Sequence, residues 1–136
     1  RVRDLVPEDV WRRRYEHIRN LESALIDAGT TVVKLMLHIS KDEQRQRLQS
    51  RVDHAKKRWK FNPGDLAERE WWDDYQLAYE EALRETSTPE APWYCIPADK
   101  KWYRNWAALR ILIETLEDMD PQWPAAAEGV EDTVIE

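Results

Sequence analysis

The sequence predicts an α/β fold, part of a doubly wound parallel sheet, with a basic helix-loop set into it. Two observations carry this. Strand-like and helix-like stretches alternate in the order helix, strand, helix, basic loop, helix, strand, helix, the pattern of parallel strands joined by helical crossovers. The first strand candidate, TTVVKLMLHI, is rich in β-branched residues and apolar along most of its length, as a strand covered on both faces must be.

Each element has its own local cause. Pro7 suits the first position of a helix, and Glu8 and Asp9 favour its positive N-terminus. Trp11, Tyr15, Ile18, Leu21 or Glu22, and Leu25 recur at steps of three and four, which marks an amphipathic helix that Gly29 ends as a left-handed cap. In the strand that follows, Val33, Leu35, Leu37 and Ile39 share one face, and Lys34, Met36 and His38 the other. Ser40 with Glu43 three residues on reads as a capping box, opening a helix through about Val52. HAKKRWKFNPG breaks the pattern and reads as a loop, after which Asp65 is the expected cap of the next helix, with Glu68 at the reciprocal position. Trp72, Tyr75, Tyr79 and Ala82 or Leu83 form that helix's expected buried stripe. WYCIP is a short strand candidate. From Asp99 a final helix should begin, with Trp102, Trp106, Leu109, Leu112 or Ile113, and Leu116 lining one side. The stretch after Trp123 has no periodicity and is expected to be disordered, so the organisation predicted is 1–123 folded and 124–136 a tail. Two strands make a poor sheet, since stable sheets need roughly three or more. The sequence is therefore expected to be part of a larger domain.

Composition narrows the classes. Among 136 residues, 42% are hydrophobic and 35% charged, which fits a soluble globular chain rather than a disordered one. No stretch approaches a membrane span, and the start lacks a signal peptide's apolar core. The single Cys95 excludes an internal disulfide and a multi-cysteine metal site; a cytoplasmic location is expected, with Cys95 buried and inert in its strand. The net charge of −6 hides segregation. From Arg45 to Lys60 seven Lys or Arg face one acid, giving +6, so the rest of the chain sums to −12. Such a focused patch points to a local polyanion site.

Several chemistries find no support. Only Gly29, Gly64 and Gly129 are present, so no glycine-rich phosphate loop exists in this sequence. Ser40 is a helix cap rather than a nucleophile. His17, His38 and His54 lack metal-ligand spacing, and His38 is a core or site-edge residue. Asp73 and Asp74 fit a solvated acidic face, and no metal ligand is assigned. The informative stretch is SKDEQRQRLQSRVDHAKKRWKFNPGDL. Arg47 and Arg51 lie four residues apart on one helical face, and Lys57 and Lys60 follow in the loop around Arg58 and Trp59. Guanidinium forks bind phosphate oxygens in pairs, and lysines add mobile point charges. Trp59 is expected to be a packing anchor for the loop.

The strings VVKLMLHISKDEQRQRL, DHAKKRWKFNPGDLAEREWWDDY and APWYCIPADKKWYRN, with the opening RVRDLVPEDVW, resemble family-2 polyphosphate kinases in order and spacing over about residues 1–124. The resemblance implies a P-loop kinase fold with a helical lid at about 41–65, transferring phosphoryl groups between inorganic polyphosphate and nucleotides (ADP, AMP or GDP) with Mg2+. It places lid contacts to polyphosphate at Arg47, Arg51, Lys57 and Lys60, and a cleft contribution at Asp99, Lys101 and Arg104. No catalytic residue is expected in this chain; the phosphate loop, its catalytic Asp and the magnesium ligands are expected upstream of Arg1. The intact enzyme is expected to be a homo-oligomer that binds neither membrane nor nucleic acid. Ala55 stands where the family's lid commonly has Pro, and Lys56 and Arg58 add charge. The competing reading is a stand-alone module that binds nucleic acid or another polyanion through the same helix-loop, although the −12 remainder would repel nucleic acid.

The 136-residue chain alone is therefore expected to be inactive when assayed with polyphosphate, magnesium and ADP or AMP. Turnover on the order of 1–100 per second, ordinary for kinases, would place the chemistry here after all.

Overall fold

Residues 1–132, 134 and 135 are described by a computed structural model, in which two parallel strands and five α-helices follow one another in the order anticipated. Helix α1 runs Glu8–Asp27, with Pro7 as its N-cap rather than its first residue. Gly29 adopts φ 86°, the left-handed conformation that the helix end requires. Strand β1 is Lys34–His38, shorter than the apolar run suggested, and pairs in parallel with β2, Trp93–Pro97. The register sets Lys34 against Trp93 and His38 against Pro97.

Helix α2, Lys41–Asp53, starts on the Ser40 hydroxyl, which accepts from the Glu43 amide at 3.0 Å. The reciprocal arm of the expected capping box is absent. The Glu43 carboxylate takes Arg47 Nε at 2.7 Å, and the Ser40 amide donates instead to Asp99 Oδ1 at 2.8 Å. The basic stretch Ala55–Lys60 is a 3-10 turn rather than an irregular loop. The single helix expected from Asp65 is broken into α3 (Gly64–Glu68), a 3-10 turn (Arg69–Trp71) and α4 (Trp72–Thr86). Asp65 caps nothing, because its carboxylate faces Arg51. Arg69, at the break, donates to Lys41 O and Gln44 Oε1 and pins this segment on the first turn of α2. Helix α5 runs Lys101–Met119; Lys100, not Asp99, is its N-cap. The tail carries a short 3-10 turn at Val130–Asp132.

An ionic knot holds these elements together. Lys34 is 7% exposed, and its ammonium donates to Glu22 Oε2 of α1 at 2.7 Å and to Thr86 O of α4 at 2.6 Å. It also lies 5.4 Å from the Trp93 ring centre, and the Trp93 indole donates to Thr86 Oγ1 at 2.9 Å. The choice between Leu21 and Glu22 as the inward residue thus falls on Glu22, with Leu21 in solvent.

The apolar core is thin. Among the described residues only Leu48, Ala91, Ile96 and Ala98 are buried hydrophobics. The surface of 10986 Å² exceeds the roughly 7,500 Å² of a compact monomer of this mass. The stripe Trp102, Trp106, Leu109, Leu112, Ile113 and Leu116 faces outward, since no described element packs against that side of α5. Cys95 is exposed rather than buried.

Replacing Lys34 with Ala strands the Glu22 carboxylate and should cost about 3–5 kcal/mol in denaturation of the protein that carries this chain. The pair Lys34→Met with Glu22→Leu should lose much less. Equal losses in single and double variants would show that packing, not charge, sets the site.

Candidate functional site

Ligands of open parallel sheets collect beyond the carboxyl ends of the strands. Here that end carries a cleft of about 590 Å³, bordered by His38, Ser40, Pro97, Ala98, Asp99 and Trp102. His38 ends β1, and its Nε2 lies 2.9 Å from Gln76 Oε1 of α4, which fixes the ring. The segment between β2 and α5 is clamped. Ala98 N donates to His38 O at 2.7 Å, Arg47 NH2 donates to Ala98 O at 2.9 Å, and Asp99 accepts from Ser40. The Asp99 carboxyl is held below its ordinary value, first by the Ser40 amide, then by the Ser40 hydroxyl, with Arg47 and His38 adding favourable charge.

The residues singled out from sequence fall into two groups. Arg47 meets Asp99 at the cleft mouth and is committed to Glu43 and Ala98 O. Lys101 is exposed on the first turn of α5, and Arg104 spends its guanidinium on the Asn105 side chain at 2.8 and 3.0 Å. Arg51, Lys57 and Lys60 gather at the far end of α2. Arg51 pairs with Asp65 at 3.3 Å, Lys57 donates to Ser50 Oγ at 3.0 Å, and the Lys60 ammonium sits 5.0 Å from the Trp59 ring centre. Trp59 is 79% exposed, so it is no packing anchor; the 3-10 turn holds it on the surface.

A division of charge runs along α2 and its turn. Three of the four cations on the helix face a carboxylate: Arg45 faces Asp42, Arg47 faces Glu43 and Arg51 faces Asp65, while Lys41 at its start forms no ion pair among the described residues. Among the described residues Lys56, Lys57, Arg58 and Lys60 form no ion pair; Arg58 donates to the carbonyl of Val52. The tip therefore carries an uncompensated positive field on an exposed turn. No three His, Cys, Asp or Glu gather into a metal site among the described residues. Sequence reasoning missed Arg69 and Gln76, which position α2 and His38; only their place on the helix after the basic turn hints at it.

The sequence matches the family profile described as Polyphosphate kinase 2 (PPK2) over residues 1–124. It is 60% identical over 136 residues to an AMP/ADP-polyphosphate phosphotransferase of Meiothermus ruber, covering the whole chain and 51% of that protein. It is 47% identical over 114 residues to an ADP-polyphosphate phosphotransferase of Rhodopseudomonas palustris, covering 84% of the chain and 39% of the relative. The chain thus spans about half or less of the length of these curated relatives. The crystal structure of Polyphosphate Kinase 2 from Arthrobacter aurescens TC1 superposes with a TM-score of 0.92 at 46% identity, over 97% of this chain and 47% of that one. With matching motifs, fold and profile, the chain belongs to the polyphosphate kinase 2 family.

Proposed function

We propose that the protein carrying this chain transfers phosphoryl groups between inorganic polyphosphate and nucleoside mono- or diphosphates, with this chain supplying the lid and part of the substrate cleft. The observation that carries the reading is the unpaired cationic tip, Lys56, Lys57, Arg58 and Lys60, on a turn that follows a helix rooted at the cleft. A polyphosphate chain is a dense polyanion, and the tip gathers four cations within five residues that form no ion pair among the described residues. The names of the relatives, phosphotransferases acting between polyphosphate and AMP or ADP, supply the acceptor class.

In this reading the turn folds over bound polyphosphate, and Lys57 and Lys60 exchange neutral partners for phosphate oxygens. Arg51 can join them by leaving Asp65. Closure neutralises charge developing on the transferring group and expels water. Lys101 and Arg104 flank the cleft and add positive charge at its rim. Magnesium is the metal this chemistry calls for. The described residues do not fit it, having no ligand cluster, so no step in this chain runs through a metal. We place the enzyme in the cytoplasm as a homo-oligomer; the apolar face of α5 is surface that assembly would cover. Among the described residues no helix is long and apolar enough to cross a membrane.

In the full protein, Lys57→Ala or Lys60→Ala should cost about 1.5–3 kcal/mol of transition-state binding, the scale of a hydrogen bond to a charged group. Steady-state kinetics would show this as a drop of about ten- to a hundredfold in kcat/KM for polyphosphate, with Lys56→Ala affected much less. Folding should hardly change, even in Trp59→Ala, because these side chains are exposed. Unchanged polyphosphate kinetics in both lysine variants would reduce the tip to a solvated face.

A further inference from the structure

We infer that Asp99 and Arg47 are positioning residues: together they latch the start of α2 to the mouth of the cleft and so aim the cationic tip, without touching the transferring phosphate. The inference rests on the lid reading above and assigns Arg47 differently from the tip lysines.

Three polar bonds converge on two consecutive residues. Ala98 is 1% exposed; its amide is taken by His38 O and its carbonyl by Arg47 NH2. Next to it, Asp99 Oδ1 accepts the Ser40 amide at 2.8 Å, immediately before α2 begins. Arg47 is held for its task by Glu43 one turn back, and both side chains are largely covered. A phosphate contact needs a guanidinium free to turn toward the ligand. This one is spanned between a carboxylate on its own helix and the Ala98 carbonyl on the segment after β2. An anionic Asp99 beside a polyanion is likewise a poor direct contact, whereas as acceptor of a helix-leading amide its charge is used.

Leverage gives the latch its effect. Helix α2 has 13 residues and is about 20 Å long, so a tilt of about 10° at its base moves its far end by about 3 Å. Misplacement of a positioned group by about 1 Å can cost on the order of a hundredfold in rate. A latch at the base therefore matters to the tip even though it touches nothing there.

The full protein should be tested as Asp99→Asn, Asp99→Ala, Arg47→Ala and the double Asp99→Ala with Arg47→Ala. Two readouts apply: polyphosphate kinetics, and hydrogen exchange of the amides from Ser40 to Gln44. Asparagine keeps an acceptor oxygen for the Ser40 amide, so Asp99→Asn should retain kcat/KM within about fivefold. Asp99→Ala and Arg47→Ala should each lose on the order of a hundredfold, with faster exchange at the start of α2. The double variant should be no worse than the worse single, as members of one device are not additive. Lys57→Ala should leave the exchange unchanged. The wild-type advantage over Asp99→Asn should be full above about pH 4 and fade below it, since a carboxyl held below its ordinary value stabilises only while ionised.

Asp99→Asn as damaging as Asp99→Ala would mean that the carboxylate acts on substrate or metal, and would overturn the inference. So would an Arg47→Ala that weakens polyphosphate binding without altering exchange, or faster exchange with kinetics untouched. A wild-type protein that transfers nothing between polyphosphate and nucleotides would instead sink the functional reading, and the inference with it.

Discussion

The buried ammonium of Lys34 is the constraint on which the other elements depend. A lysine at 7% exposure is tolerable only if its charge and donors are matched, and the matches come from Glu22 on α1 and Thr86 on α4. The Trp93 ring adds its face from β2. One charge thus fixes two helices and both strands at the end of the sheet opposite the cleft. A core of four buried apolar residues is too small to set that alignment by packing alone. The knot sets where β1 begins, and its parallel register then places His38 level with Pro97, so that both line the cleft at the strand ends.

Much of this was legible along the chain and some was not, for definite reasons. Local signals were reliable: Gly29 at a helix end, Ser40 before α2, and the two apolar strands all rest on short-range backbone chemistry. Lys34 gave no such signal, because its partners lie 12 and 52 residues away and an alternating strand simply places it on the polar side. The aromatic stripe of α5 was read correctly as a stripe, but its periodicity cannot say what covers it; the described residues leave it in solvent. Trp59 misled for the converse reason. A large apolar ring is usually packed, yet here a 3-10 turn carries it outward beside Lys60.

At the candidate site, residue types were readable while their division of labour was not. Arg47 and Arg51 share a helical face, so spacing alone groups them as two equal phosphate forks. Tertiary contacts separate them. Arg47 reaches the carbonyl of Ala98, 51 residues on, while Arg51 closes the turn onto Asp65. Asp99, expected to open α5, instead reaches back 59 residues to the Ser40 amide. Both surprises have one origin: the segment between β2 and α5 offers polar groups at the point where α2 must be anchored.

The graded charge along α2 follows from what each end has to do. Along the helix Arg45, Arg47 and Arg51 are matched by Asp42, Glu43 and Asp65, so these three arginines add little to the field around it. Four cations within five residues at the tip repel one another, and no carboxylate among the described residues relieves them. Exposure keeps that repulsion small, because water and salt screen charges over about 8 Å at physiological ionic strength. The same screening would vanish once a polyanion displaced water from the turn, so in the proposed lid the field would be weak when open and strong on closure. Had Arg45, Arg47 and Arg51 been unpaired as well, a polyanion would gain contacts along the whole helix and bind without closing. If the turn is the lid proposed above, concentrating the unpaired charge at its tip couples binding to closure.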